Sequence, residues 1–168
     1  MAIIIPANSA ADTAFSVDNS CRFNAADSAV MIKGMSDGNR DRWTFSCWVK
    51  RAALPATIGQ AIFAADVDGN NGTWILFDQY EKLRVGNLVG GSWAGLYSPT
   101  RVFRDISAWY HIVVVWDSGN ATAGDRIRIY VNGTEETSFG TETNPSLGQD
   151  SWANQTASTG YFRHGWNT

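Results

Sequence analysis

The stretch Trp43-Thr-Phe-Ser-Cys-Trp-Val-Lys-Arg51 decides the fold class of this chain. It alternates with period two. Phe45, Cys47 and Val49 fall on one side, and Thr44, Ser46, Trp48 and Lys50 on the other. Successive side chains of extended backbone point to opposite faces, so this is the pattern of a strand with one face on a core. No stretch competes with it as a long helix. Arg126-Ile-Arg-Ile-Tyr-Val131 alternates in the same way, with Ile127, Ile129 and Val131 inward. Trp109-Tyr-His-Ile-Val-Val-Val-Trp-Asp117 sets Ile112, Val114 and Trp116 against Val113 and Val115. Both of its faces are apolar, so it is expected to run through the middle of a sheet.

Turn chemistry separates these strands. Asn132-Gly133 is a strong hairpin signal, because a type I′ turn needs φ > 0 twice, and Thr137 to Phe139 is expected to pair back. Ser36-Asp-Gly-Asn39 and Asp66-Val-Asp-Gly-Asn-Asn-Gly72 read as turns, and Gly90 to Pro99 as a loop bearing glycine and aromatic residues. About seven to nine short strands at this spacing indicate a sandwich or barrel. Residues 1–20, broken by Pro6, Asn8, Asp12 and Asp18, read as an extended arm, and 21–168 as one domain.

Composition excludes several function classes. The chain is 44% hydrophobic and 17% charged, enough to build a core and too apolar for disorder. The net charge is −3 and no basic run occurs, so a phosphate-binding surface for nucleic acid is not expected. Ile3-Ile4-Ile5 is stopped by Pro6, which leaves no run long enough for membrane insertion. The N-terminus shows neither a basic n-region nor an apolar h-region, so the chain is expected to be soluble and made in the cytosol. Cys21 and Cys47 each stand beside a phenylalanine and read as small core hydrophobes, with a disulfide as the alternative. Zinc would need more cysteine or histidine than His111 and His164 supply.

The order of Ser20-Cys-Arg-Phe-Asn24, Trp43 to Lys50, Ile62-Phe63, Trp109 to Asp117 and Arg128-Ile-Tyr-Val-Asn-Gly133 resembles the laminin-G-like, concanavalin A-like jelly roll. The likeness covers roughly residues 20–140 and is nearest to the form found in tailed-phage virion proteins. It implies an all-β fold, an antiparallel two-sheet β-sandwich. Members of that family usually close with a strand of the type Phe-x-Gly-x-(Ile/Leu)-x-(Glu/Asp)-Val. This chain reaches Gly160-Tyr-Phe-Arg-His-Gly-Trp-Asn-Thr168 without one. Two readings stay open. Either the chain is part of a longer protein, or another segment, such as the arm or a neighbouring subunit, fills the slot.

The resemblance also frames the chemistry. Glucanases of this fold carry two glutamates and an aspartate alternating along one strand, and no Glu-x-Asp-x-Glu occurs here. An enzyme is therefore not expected. Asp66, Asp68 and Asn70 offer oxygen ligands for Ca²⁺ at the spacing of an EF-hand start. Asn71 stands where that loop needs glycine and Phe77 where it needs glutamate, so an Asx-stabilised turn is the competing reading. Trp93, Tyr97, Trp152, Tyr161 and Trp166 read as loop aromatics, able to stack on a sugar or to pack against a partner. Trp48 and Trp116 read as core, and His111 as a structural histidine with no serine or cysteine nucleophile beside it. The function these readings lead to is a non-enzymatic structural component of a bacteriophage virion, a capsid decoration protein or a tail or tail-fibre module. It would attach to other virion proteins and is expected to form an oligomer. The alternative is a carbohydrate-binding module for host-surface glycans.

Overall fold

The structure, a computed structural model, describes residues 20–23, 29–54, 57, 59–156 and 159–166. The arm expected at 1–20 lies outside these apart from the exposed Ser20. Eleven strands follow one another: β1 (Val30–Gly34), β2 (Arg42–Val49), β3 (Gly59–Asp68), β4 (Asn71–Phe77), β5 (Leu83–Val89), β6 (Ser92–Pro99), β7 (Tyr110–Asp117), β8 (Ile127–Val131), β9 (Thr134–Glu135), β10 (Phe139–Thr143) and β11 (Thr159–Trp166). They form two antiparallel sheets. The large sheet runs β1-β11-β3-β4-β5-β6-β10 and the small one β2-β7-β8-β9.

The two sheets bury their facing sides against each other. Ile112, Val114 and Trp116 of β7 and Ile127, Ile129 and Val131 of β8 meet Ile62, Ile75, Phe77, Leu83, Val85 and Tyr97 of the large sheet, with Phe103 from the β6–β7 connection. Phe45, Cys47 and Val49 pack against this core from β2, as the alternation requires. β7 lies between β2 and β8, so it is central in its sheet. Its second face is only half-buried at Val113 and Val115, because nothing among the described residues covers the outside of the small sheet.

Four expectations need correction. The closing slot is filled: Thr159–Trp166 forms β11, which pairs with β1 on one side and β3 on the other. Backbone pairing does not need the family's usual side-chain pattern. Gly90 to Pro99 is not a loop. Gly90 (φ 56°) and Gly91 (φ 79°) make a two-residue turn, and Ser92 onward returns as β6. The Asn132-Gly133 turn forms (φ 51° and 81°), but Thr134–Glu135 pairs back with β8. The chain then crosses to the large sheet, where Phe139 packs edge-on against Tyr97 at 4.9 Å. Cys21 is exposed and outside any strand, Cys47 is half-buried, and both thiols are free.

Candidate functional site

Strand register decides which aromatic rings are available. In β6, Tyr97 pairs with Val85 and points into the core. Its hydroxyl donates to Asn144 Oδ1 and lies 3.4 Å from Glu142 Oε1. Burial, then the Glu142 carboxylate, push the phenol up to about 12. Tyr97 is therefore a core residue and not a ligand platform. A β-bulge between Asn87 and Leu88 resets the pairing, and Trp93 faces the outside of the large sheet opposite Leu88.

Trp93 is 41% exposed and held from two sides. Its ring meets Trp74 edge-on, with centroids 5.9 Å apart at 77°. It also lies across Gly86, where a Cβ would stand only 2.4 Å from Cζ3. Any side chain at Gly86 would push the indole off the sheet. Strand alternation puts Arg84 on the same face, its guanidinium 3.6 Å from Asp78. The result is a fixed indole on a sheet face that also carries an ion-paired guanidinium.

The other nominated aromatics separate. Trp152 is half-buried, its Nε1 donates to the Leu88 carbonyl at 2.7 Å and Arg40 lies over its ring at 5.7 Å, so it serves the rim of the sandwich. Tyr161 and Trp166 fall on β11, which is described by its backbone alone. Tyr161 pairs there with Ile32 and Ala64, and Trp166 with Gly59.

Asp66 and Asp68 end β3, and Asn70 sits in the turn to β4. Asp68 accepts from the Asn70 backbone N–H at 2.7 Å and, on both oxygens, from the Asn71 side chain at 3.0 and 3.1 Å. The Asn70 amide first, then Asn71, hold its carboxyl below the ordinary range. These bonds are those of an Asx turn. Among the described residues no three acids, thiols or imidazoles gather as metal ligands.

The small sheet holds a ring that sequence reasoning misplaced. Trp48 is 62% exposed and stacks on His111 at 4.9 Å and 20°. Its position in the alternation, opposite Phe45, Cys47 and Val49, was the signal. Its size suggested the core and misled. His111 does have a serine beside it: Ser46 Oγ lies 2.9 Å from Nε2, because β2 and β7 pair Trp48 with His111 and Ser46 with Val113. That spacing suits a nucleophile and its base. Yet Ser46 is exposed on an open sheet face, whereas acyl transfer needs aimed oxyanion donors in a water-shielded pocket. A cleft of about 150 Å³ lined by Trp43, Phe45, Phe63 and Met35 is smaller than the pockets that enclose organic ligands, about 300 Å³ upward.

Cys47 gives a test of the packing. Burial raises its thiol to about 11 from the model-compound 9.0. As pH rises through that window the unfolded chain loses a proton that the folded one keeps, so this group makes the fold less stable with rising pH. With Ellman's reagent at pH 8, we expect Cys21 to react at once and Cys47 only on unfolding. Equal rates would contradict the burial.

No curated protein sequence gives a significant match. Among solved structures, the chain is similar to the carbohydrate-binding module CBM66 from Bacillus subtilis, with 15% identity over 74% of this chain and 69% of that one and a TM-score of 0.44. It is also similar to the native heptameric SAP-like pentraxin from Limulus polyphemus, with 18% identity over 80% and 64% and a TM-score of 0.45. Residues 24–164 match the Laminin_G_3 family, and with its two packed antiparallel sheets the chain belongs to the concanavalin A-like lectin/glucanases superfamily.

Proposed function

We propose that this protein is a non-enzymatic, lectin-like carbohydrate-binding module whose platform is Trp93. The observation that carries this reading is the indole fixed across Gly86 and against Trp74, with part of its surface left to solvent. A pre-positioned ring loses little entropy when the apolar face of a sugar stacks on it. Arg84 on the same face offers donors to sugar hydroxyls or to a sugar carboxylate. The sequence lacks the Glu-x-Asp-x-Glu strand that hydrolysis in this fold would use.

A glycan array with the intact protein tests this. Trp93→Ala should weaken binding about tenfold or more. Gly86→Val should do the same without touching the ring itself, by displacing it. Trp48→Ala, on the opposite sheet, should leave binding unchanged. A blank array would remove the glycan reading, and binding indifferent to Trp93 and Gly86 would move the site elsewhere.

A second reading has a separate observation behind it. The outer strand of the large sheet exposes Val30, Met31 and Ile32. Such an edge suits a structural component of a bacteriophage virion, in the capsid decoration or the tail, that attaches to other virion proteins. Labelling purified particles with an antibody to the chain would test it. Particles free of label would rule this reading out.

A further inference from the structure

Among the described residues, two open sheets leave four edge strands: β1 and β10 in the large sheet, β2 and β9 in the small one. An uncovered edge presents a row of backbone donors and acceptors to any strand that approaches. Three of the four are blunted. β9 has two residues. β10 reads Phe139-Gly-Thr-Glu-Thr143, and its register breaks between Phe139 and Thr141. β2 keeps an unbroken register with β7, but three of the four side chains on its solvent face, Arg42, Thr44 and Ser46, are polar, Arg42 is paired to Asp117, and the fourth, Trp48, is stacked on His111. β1 is different. Like β2 it keeps an unbroken register, here with β11 over all five residues, but apolar side chains stand exposed on both of its faces. Val30 and Ile32 on one face and Met31 on the other are exposed, Ile32 at 63%.

We infer that β1 is a self-association edge. Two copies join by antiparallel β1–β1 pairing about a twofold axis at Ile32, which merges their large sheets into one. The occupant is a second copy because the strand is complementary to itself. With Ile32 opposite Ile32 of the partner subunit, Met31 faces Lys33 and Val30 faces Gly34. No like charges meet, the aliphatic stem of Lys33 lies along Met31, and Gly34 leaves room for Val30. A twofold contact of this kind closes at two copies and does not propagate. A five-residue strand buries less than the roughly 1,600 Å² of a standard interface, so the dimer forms in a concentration-dependent way. The inference rests on β1 alone and is independent of the glycan reading, and it gives this edge to a second copy in place of the other virion proteins of the second reading. Under the glycan reading it places two Trp93 platforms in one particle, which raises avidity for a multivalent surface.

Light scattering after size exclusion, on the full chain from about 1 to about 500 μM, tests the pairing. The mass should climb from 18.4 kDa towards twice that value. Ile32→Lys puts two ammonium groups face to face and should hold the chain monomeric, with an unchanged circular dichroism spectrum. Ile32→Cys in a Cys21→Ser background should cross-link on mild oxidation, since residues directly opposite have Cβ atoms about 4.5–5.5 Å apart. Val67→Cys, exposed on β3, should not cross-link. A monomer at every concentration overturns the inference. So does a dimer that survives Ile32→Lys, or one that Ile32→Cys fails to trap.

Discussion

Trp116→Ala should cost about 3–5 kcal/mol of stability, the range for removing a large buried aromatic. Trp116 is fully buried on β7, and its ring lies parallel to that of Trp43 on β2, with centroids 6.0 Å apart at 2°. The two residues are Cα partners, so the stack ties β2 to β7 at the level of the core. Against a total of about 5–15 kcal/mol, the loss is a large share of what holds the domain together. The melting temperature should fall by about 10 °C or more. Trp116→Phe should cost much less, about 1–2 kcal/mol. The Trp116 Nε1 is buried with no hydrogen-bond partner among the described residues, so replacing it forfeits no hydrogen bond to them. Thermal melts followed by circular dichroism separate the two variants. If they melt together, the indole is not packed as described.

The fold was legible because burial on one face writes itself into the sequence. Phe45, Cys47 and Val49, and again Ile127, Ile129 and Val131, alternate with polar neighbours and pack as that alternation says. The hairpin at Asn132-Gly133 was legible for the same local reason, two positive φ angles in succession. What escaped was non-local. β11 is held by backbone pairing between β1 and β3, and no short-range pattern in Thr159–Trp166 announces those partners. The destination of Phe139, in the large sheet, depended on Tyr97, forty-two positions earlier on the neighbouring strand β6. β6 was hidden by its own glycines: Gly90 and Gly91 belong to the turn, and their chemistry spread a loop reading over the strand that follows.

The candidate site was half legible. Aromatic residues near glycines drew notice to Trp93 and Tyr97 alike, but they lie four positions apart with a bulge in the pairing around them. The bulge between Asn87 and Leu88 leaves Trp93 outside and Tyr97 in the core. A bulge has no reliable sequence signal, so nothing in the chain distinguished the two rings. Gly86 is the partner that holds Trp93 in place, and its role exists only through cross-strand contact. Ser46 and His111 stand sixty-five positions apart and met only when the β2–β7 register was known. Trp48 is the instructive error. Its place in the alternation was right and its hydrophobicity was wrong as a guide, because large apolar residues on an outer sheet face are ordinary.

Arg51→Ala should cost about 2–4 kcal/mol, whereas Arg51→Met should stay within about 1 kcal/mol of the parent chain. Arg51 stands two residues past the end of β2 and is buried. Its Nε donates to Gln60 Oε1 at 2.8 Å and its Nη1 to the Phe103 carbonyl at 2.7 Å, while the guanidinium sits over the Phe77 ring at 4.8 Å. One side chain thus ties the end of β2 to β3 and to the β6–β7 connection. Desolvation pulls its pKa below the ordinary arginine range, with the Glu81 carboxylate opposing. Among the described residues Nη2 has no hydrogen-bond partner, so within them the cation is incompletely compensated. Alanine removes the ring contact, both donors and the volume together. Methionine keeps an apolar stem on Phe77 and relieves the buried charge, which offsets the lost hydrogen bonds. Urea unfolding of the two variants reads the difference. Equal losses would mean that the guanidinium hydrogen bonds dominate and that its incomplete compensation has no energetic weight.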